Sequence, residues 1–184
     1  MTAIRHIGFY VNDIQKLEAF YTSVFQMIPV CSMEPDSSVL FDELLGIRNA
    51  RILTTKLVTP YGKKNGQGDM LELVKILSKD TDFKTDCLKN LRGGGNPISA
   101  PGTGHTAFGI DNMQQTVCSI IREQGTQETE IVRMRGVSLC CFCRDPEGNW
   151  IELIQRCEVC TGSNETGIRK NGAEKSDCKF IWVK

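Results

Sequence analysis

The chain has only two histidines, and both occupy the same place in an internal repeat. His6-Ile7-Gly8-Phe9-Tyr10-Val11-Asn12-Asp13-Ile14-Gln15 lies over His105-Thr106-Ala107-Phe108-Gly109-Ile110-Asp111-Asn112-Met113-Gln114, with His, Phe and Gln matched, Val against Ile, and the Asn/Asp pair exchanged. Further on, Asp69-Met70-Leu71-Glu72-Leu73-Val74-Lys75 lies over Asn149-Trp150-Ile151-Glu152-Leu153-Ile154-Gln155 and pairs Glu72 with Glu152. A repeat on this scale restricts the chain to two copies of one supersecondary unit. The histidines are 99 residues apart and the glutamates 80. The first copy therefore carries an insertion, assigned to 34–49 and to the Gly/Lys-rich turn 61–68.

Each copy reads as a strand, a helix and three more strands. Residues 4–11 and 103–110 alternate in polarity, and each run is followed by an Asn/Asp pair suited to cap a helix. Ile14, Leu17, Phe20, Tyr21, Val24 and Phe25 recur at helical spacing, as do Met113, Val117, Ile120 and Ile121. The first helix is expected to end at 26–29, and the second at 123–125 with Gly125 as its stop. Strands are expected at 28–33, 51–59 and 69–76, then at 128–134, 137–143 and 149–155. Asp145-Pro146-Glu147-Gly148-Asn149 reads as a turn, and 62–66 as a charged hairpin turn. The modules are expected at about 4–78 and 103–156, with a Gly/Pro-rich linker at about 92–102. The first 156 residues then form one domain, and 157–184 a polar tail that ends in a short strand at 179–183.

Alternation also separates the faces of these strands. Ile7, Phe9 and Val11 are expected against the helix, which leaves His6, Gly8 and Tyr10 on the other face. In the second copy His105, Ala107 and Gly109 take that outer face. Leu71 and Leu73 oppose Glu72, and Ile151 and Leu153 oppose Glu152. Each half thus offers one His and one Glu beside small residues that leave room for a ligand. Two imidazoles and two carboxylates make a mixed N/O donor set for a divalent ion of the Zn, Ni, Fe, Co or Mn type. Four such ligands would leave two octahedral positions for water or substrate. The alternative is a pair of strand histidines hydrogen-bonded to backbone, with both glutamates solvated.

Composition narrows the function classes. Lys+Arg and Asp+Glu are 22 each, so the formal charge is zero and no basic field is available for a nucleic-acid backbone. No apolar run approaches the roughly 18 residues of a membrane helix, and residues 1–6 carry no apolar leader. The nine cysteines are read as reduced thiols of a cytoplasmic protein. Cys140, Cys141 and Cys143 are expected to fill a strand as small apolar residues. Cys157-x-x-Cys160 lacks the second pair of a four-cysteine zinc site. Arg5, Lys56, Arg133 and Arg135 are strand cations able to meet an acidic group of a substrate.

The His-x-x-Phe-x-Val/Ile opening with its Asn/Asp cap, the Asp-Pro-Glu-Gly-Asn-Trp-Ile-Glu-Leu run at 145–153 and the paired βαβββ layout resemble the vicinal oxygen chelate superfamily. That superfamily includes glyoxalase I, methylmalonyl-CoA epimerase, extradiol dioxygenases, fosfomycin-resistance enzymes and bleomycin-binding proteins. The resemblance covers about residues 4–156. It implies an α+β fold in which two tandem βαβββ modules form an open eight-stranded cup around a metal site. Carried over position by position, the ligands are His6, Glu72, His105 and Glu152, with all four expected to meet on one divalent ion. Zn or Ni is the first expectation, and Mn, Co or Fe the alternatives.

Glutamate at both carboxylate positions is closer to the glyoxalase I-like lyases than to the dioxygenases. The implied chemistry is removal of an α-proton from a small α-hydroxy carbonyl, hemithioacetal or thioester, through an enediolate that the metal stabilises. By position Glu152 matches the proton-transferring base, and Glu72 is the second catalytic candidate. Leu73-Val74-Lys75-Ile76-Leu77 departs from the Asn and Gly-Thr that follow the first metal Glu in glyoxalase I and help hold glutathione. A CoA thioester or another α-hydroxy carbonyl therefore stays open. So do an extradiol-type dioxygenase and a non-catalytic binder of a small molecule or antibiotic. The expected partners are a small-molecule substrate and a second copy in a homodimer, which covers exposed sheet edges, with neither nucleic acid nor membrane.

Overall fold

Two alternating strands, each running into a capped amphipathic helix, frame the two halves of the molecule. The computed structural model describes residues 4–66, 68–77, 102–134 and 137–156. The first module runs β1 (Ile7–Tyr10), α1 (Ile14–Phe25), β2 (Ile28–Asp36), α2 (Val39–Leu45), β3 (Ile52–Val58), α3 (Pro60–Asn65) and β4 (Met70–Ile76). The second runs β5 (His105–Gly109), α4 (Met113–Arg122), β6 (Thr126–Gln127), β7 (Val132–Met134), β8 (Ser138–Arg144) and β9 (Trp150–Arg156). The fold is α+β with two βαβββ modules, as the repeat implied. The expected strand at 128–134 is broken, with β6 before it and β7 at its end, and both pair with β8. The expected linker and tail, including 179–183 and Cys157-x-x-Cys160, lie outside the described residues.

The sheets have the orders β1-β4-β3-β2 and β5-β9-β8-β6, with β7 also on β8. In each the first strand of the module lies parallel to the last. A parallel pair needs a crossover connection, and the long helix begins it. Asp13 starts α1 by accepting from the Lys16 amide at 3.1 Å, and Asn112 starts α4 by accepting from the Gln115 amide at 3.0 Å. The exchanged Asn/Asp pair therefore caps at equivalent positions with whichever residue stands second.

Ile14, Leu17, Phe20 and Tyr21 of α1 and Met113, Val117 and Ile120 of α4 are buried in one cluster. Leu71 and Leu73 of β4, Cys141 and Cys143 of β8, and Ile151 and Leu153 of β9 belong to it too. α1 packs on β2, β3 and β4, α4 packs on β6, β8 and β9, and the two helices pack on each other. Phe25 of α1 stacks on Phe108 of β5 with ring centroids 4.0 Å apart. The layers run sheet, helix, helix, sheet around one shared core, so each sheet turns its other face outward. Cys141 and Cys143 are buried there as apolar fillers, while Cys140 is half-buried.

The insertion at 34–49 folds into the end of β2 and into α2, which ends at Gly46 with φ +65°. The expected hairpin turn at 62–66 is instead α3. Thr59 Oγ1 accepts from the Gly62 amide at 3.0 Å, and Pro60 occupies the first turn, where its missing N–H costs nothing. The end of α4 also differs from expectation. Gln124, not Gly125, takes the left-handed backbone, with φ 69°. Gly125 is required by closeness, because a Cβ there would lie 2.5 Å from the Arg144 carbonyl oxygen and 2.7 Å from Ile120 Cγ2.

The 145–149 turn joins the modules. Glu147 accepts from the Asn12 amide at 2.8 Å and the Asp13 amide at 2.5 Å, at the start of α1. A carboxylate at a helix N-terminus satisfies orphan donors and meets the positive end of the dipole. Behind it the Tyr21 hydroxyl donates to Asp145. One turn of the second module thus holds the first helix of the first.

Candidate functional site

Each His comes to its Glu through strand pairing. In the β1–β4 register Gly8 stands beside Glu72, and His6 lies just before β1 on the same outer face. His6 Nε2 is 3.2 Å from Glu72 Oε2. In the β5–β9 register Ala107 stands beside Glu152, and His105 Nε2 is 3.1 Å from Glu152 Oε2. The two half-sites are built alike because strand, register and small neighbour repeat. The histidine side chains are 43% and 38% exposed and the glutamates 17% and 23%. Each pair is therefore held by its sheet yet open to a ligand.

The donor set fits a divalent ion. Two donors about 2.1 Å from one ion and at right angles stand about 3.0 Å apart, close to both observed spacings. As a hydrogen bond the contact takes Nε2 protonated, and as two metal donors it takes both atoms bare. The spacing accommodates either.

The four residues do not meet inside one chain. Leu71 and Leu73 point into the shared core, so Glu72 points out from the first sheet, and Ile151 and Leu153 send Glu152 out from the second. The core and both long helices stand between the two pairs. Among the described residues no three His, Cys, Asp or Glu side chains are close enough to share an ion. Within one copy the four expected ligands therefore form two separate pairs. Local alternation sets the outward direction of each pair, and the packing of α1 on α4 sets the pairs back to back.

The surroundings of the half-sites differ. Lys56 stands directly opposite Glu72 in the β3–β4 register, with Nζ 3.3 Å from Glu72 Oε1. A cavity of about 200 Å³ opens beside them, lined also by Thr54 and by Phe41 of α2. In the second module Phe142 stands opposite Glu152. His105 meets the Phe142 ring edge-on at 5.4 Å, Phe142 meets Trp150 at 6.3 Å, and the Arg144 guanidinium lies 3.8 Å over Trp150. Lys56 was only one of four strand cations in the sequence, and Phe142 and Trp150 had no role there. A lysine inside the apolar strand 52–58 was the available signal for Lys56. Arg5 is exposed, and Arg135 lies outside the described residues.

A family model described as the Glyoxalase/Bleomycin resistance protein/Dioxygenase superfamily matches residues 3–153. The chain belongs to this superfamily. The match spans both His/Glu pairs, so the glyoxalase superfamily fold accounts for the two-module layout on which they sit. The lactoylglutathione lyase of Schizosaccharomyces pombe is 24% identical over 169 residues, covering 91% of this chain and 52% of the relative. The chain thus spans about half the length of that curated relative. Among solved structures, a glyoxalase family protein from Bacillus cereus superposes with a TM-score of 0.68 at 15% identity, covering 85% of this chain and 95% of the other. A glyoxalase I variant from Zea mays gives 0.53 at 20% identity, covering 84% and 44%. A fosfomycin resistance protein from Listeria monocytogenes gives 0.52 at 14% identity, covering 91% and 96%. At these identities the superpositions establish the fold.

Proposed function

We propose that the chain is a metal-dependent lyase or isomerase of the glyoxalase kind, active as a homodimer. In this reading, two copies complete each centre: His6 and Glu72 come from one, His105 and Glu152 from the other. The observation that carries it is the pair of equivalent His/Glu half-sites, with donor atoms 3.2 and 3.1 Å apart, facing outward from a shared core. A half-site of two donors is short of the three or four protein ligands that hold a catalytic ion, and a second copy supplies the rest. The superfamily match and the length of the fission-yeast relative, about twice this chain, support the same arrangement.

A divalent ion held there, Zn or Ni first, would polarise a substrate carbonyl and so acidify the neighbouring C–H. The chain's own groups do the rest. The two imidazoles and Glu72 orient the centre, and Glu152 takes and returns the α-proton. Phe142 and Trp150 form an apolar floor beside Glu152 that keeps water from competing for the carboxylate. The substrate class is a small α-hydroxy carbonyl, hemithioacetal or thioester.

Complementation tests it. His6→Ala and His105→Ala each break both centres of their own homodimer. Mixed and allowed to exchange, they form heterodimers in which one centre is intact, so about a quarter of wild-type turnover returns for random two-fold pairing. No recovery, with light scattering showing a dimer, would overturn the shared centre. Oxygen uptake with catechols, or ligand binding with no turnover across hemithioacetals and thioesters, would favour the dioxygenase or binder reading.

A further inference from the structure

The inner face of β8 brings three sulfur atoms together. Cys141 and Cys143 stand two residues apart on that strand, so both side chains point to the same side, into the core on which α4 packs. Cys141 Sγ lies 3.6 Å from Sδ of Met113, the first residue of α4, and 3.9 Å from Cys143 Sγ. Cys141, Cys143 and Met113 are 1%, 0% and 1% exposed. Strand alternation places the two thiols on one face, and the docking of α4 adds the thioether. Phe142, between the cysteines, stands opposite Glu152 on the outer face. The sulfurs therefore lie across the sheet from the His105–Glu152 pair and are separate from it.

We infer that Cys141, Cys143 and Met113 form a binding site for a soft monovalent metal ion, Cu(I). Three sulfurs about 2.3 Å from one ion in a trigonal plane stand about 4.0 Å apart. The two contacts here, 3.6 and 3.9 Å, are near that spacing. Thiolate and thioether donors together select Cu(I). A structural Zn(II) site takes four donors, and among the described residues no three His, Cys, Asp or Glu side chains converge. The third donor here is a methionine. Charge points the same way, because an apolar core tolerates no uncompensated ion. On binding, one S–H bond breaks, a Cu–S bond forms and the proton leaves to water. One positive charge replaces another, and no oxidant or reductant is required. The second thiol and the Met113 thioether complete the trigonal set through their lone pairs. Entry needs only local opening. β6 covers β8 at Cys143 and β7 covers it at Cys140, and these strands are two and three residues long. Short edge segments of this kind open at low free energy, and Cys141 stands against the gap between them.

The test titrates Cu(I) into the reduced full-length protein without oxygen, with bicinchoninate as the competing chelator. The methionine methyl groups are followed by carbon-13 NMR until the protein is saturated. The chain has nine cysteines, so stoichiometry alone does not locate the ion. The Met113 methyl does, and Met113→Leu assigns its signal. That signal is expected to shift as Cu(I) binds. Cys141→Val and Cys143→Val keep apolar volume in the core, and each is expected to abolish the shift. Each should also weaken Cu(I) binding at this site by at least about tenfold, the loss that follows even from removing a supporting contact around a metal. Cys140→Val, on the other face of β8, should leave the shift in place. A Met113 methyl signal that does not move up to saturation overturns the site, and so does a shift that survives in both the Cys141→Val and Cys143→Val variants. The first of these is read on the wild type, so it decides even where a variant fails to fold.

Discussion

The Tyr21 hydroxyl donates to Asp145 Oδ2 at 2.9 Å, and both residues are buried between the modules. Burial first, and the Asp145 charge second, push the phenol well above its usual range, so it remains a donor. Asp145 also accepts from the amides of Glu147 and Asn149 and from the Asn149 side chain. Tyr21→Phe keeps the ring packing and removes one donor from a buried acceptor, a loss of about 1–3 kcal/mol. Urea denaturation followed by fluorescence checks it. A midpoint equal to the wild type would mean that the hydroxyl contributes nothing.

Asp145 also gives stability a pH signature. Burial raises its carboxyl above the ordinary carboxylate range, although four hydrogen bonds oppose the shift. A folded value above the unfolded one means that the folded state holds the proton more tightly. The contribution is complete below the unfolded value, about 3.9, and is lost as pH rises through the folded value. The stability advantage of the wild type over Asp145→Asn should therefore be largest near pH 3 and should shrink as pH rises above about 4. Denaturation series for both proteins at several pH values measure it. An advantage that grows over that window would reverse the sign.

Two glycines separate crowding from backbone strain. Gly125→Ala places a Cβ against the Arg144 carbonyl and Ile120, and overpacking of this kind costs about 1–3 kcal/mol. Gly46→Ala meets nothing within 4 Å but must hold φ at +65°, at a cost of about 1–2 kcal/mol. Thermal unfolding should lower the midpoint for both. The Gly125 variant should also perturb amide signals in β8, which the Gly46 variant should leave in place.

The glutamates are expected to respond unequally. Glu152→Gln keeps a coordinating amide oxygen and most of the metal, yet loses turnover by about 10²–10⁴-fold, the usual contribution of a positioned acid/base. Glu72→Gln should cost less, because Lys56 already engages its second oxygen. Turnover measured at matched metal occupancy decides the point. Small, equal losses would mean that neither carboxylate moves the proton.

Much of this was legible in the sequence because it is local. Period-two alternation around His6, Glu72, His105 and Glu152 put each pair on the face away from its helix, and the structure keeps them there. The Asn/Asp pair after each first strand was readable as a cap for the same reason, and the structure assigns the cap to its second residue. The 62–66 segment was misread as a turn because of its Gly and Lys content, whereas Thr59 and Pro60 start a helix over Pro60–Asn65. Gly125 was misread because closeness to Arg144 is a contact between distant residues, and no local pattern records it.

The sequence alone determined two βαβββ units, their capped helices and one His/Glu pair on the outer face of each sheet, since covalent order and strand alternation suffice for these. Only the tertiary structure decided how the halves meet. Phe25 stacks on Phe108, Glu147 and Asp145 grip α1, and a shared core forms between the sheets. That packing sends the two pairs outward in different directions. Register between neighbouring strands then gave Glu72 a lysine and Glu152 a phenylalanine. Register follows from burying one face of a whole sheet at once, a condition satisfied by residues far apart in the chain.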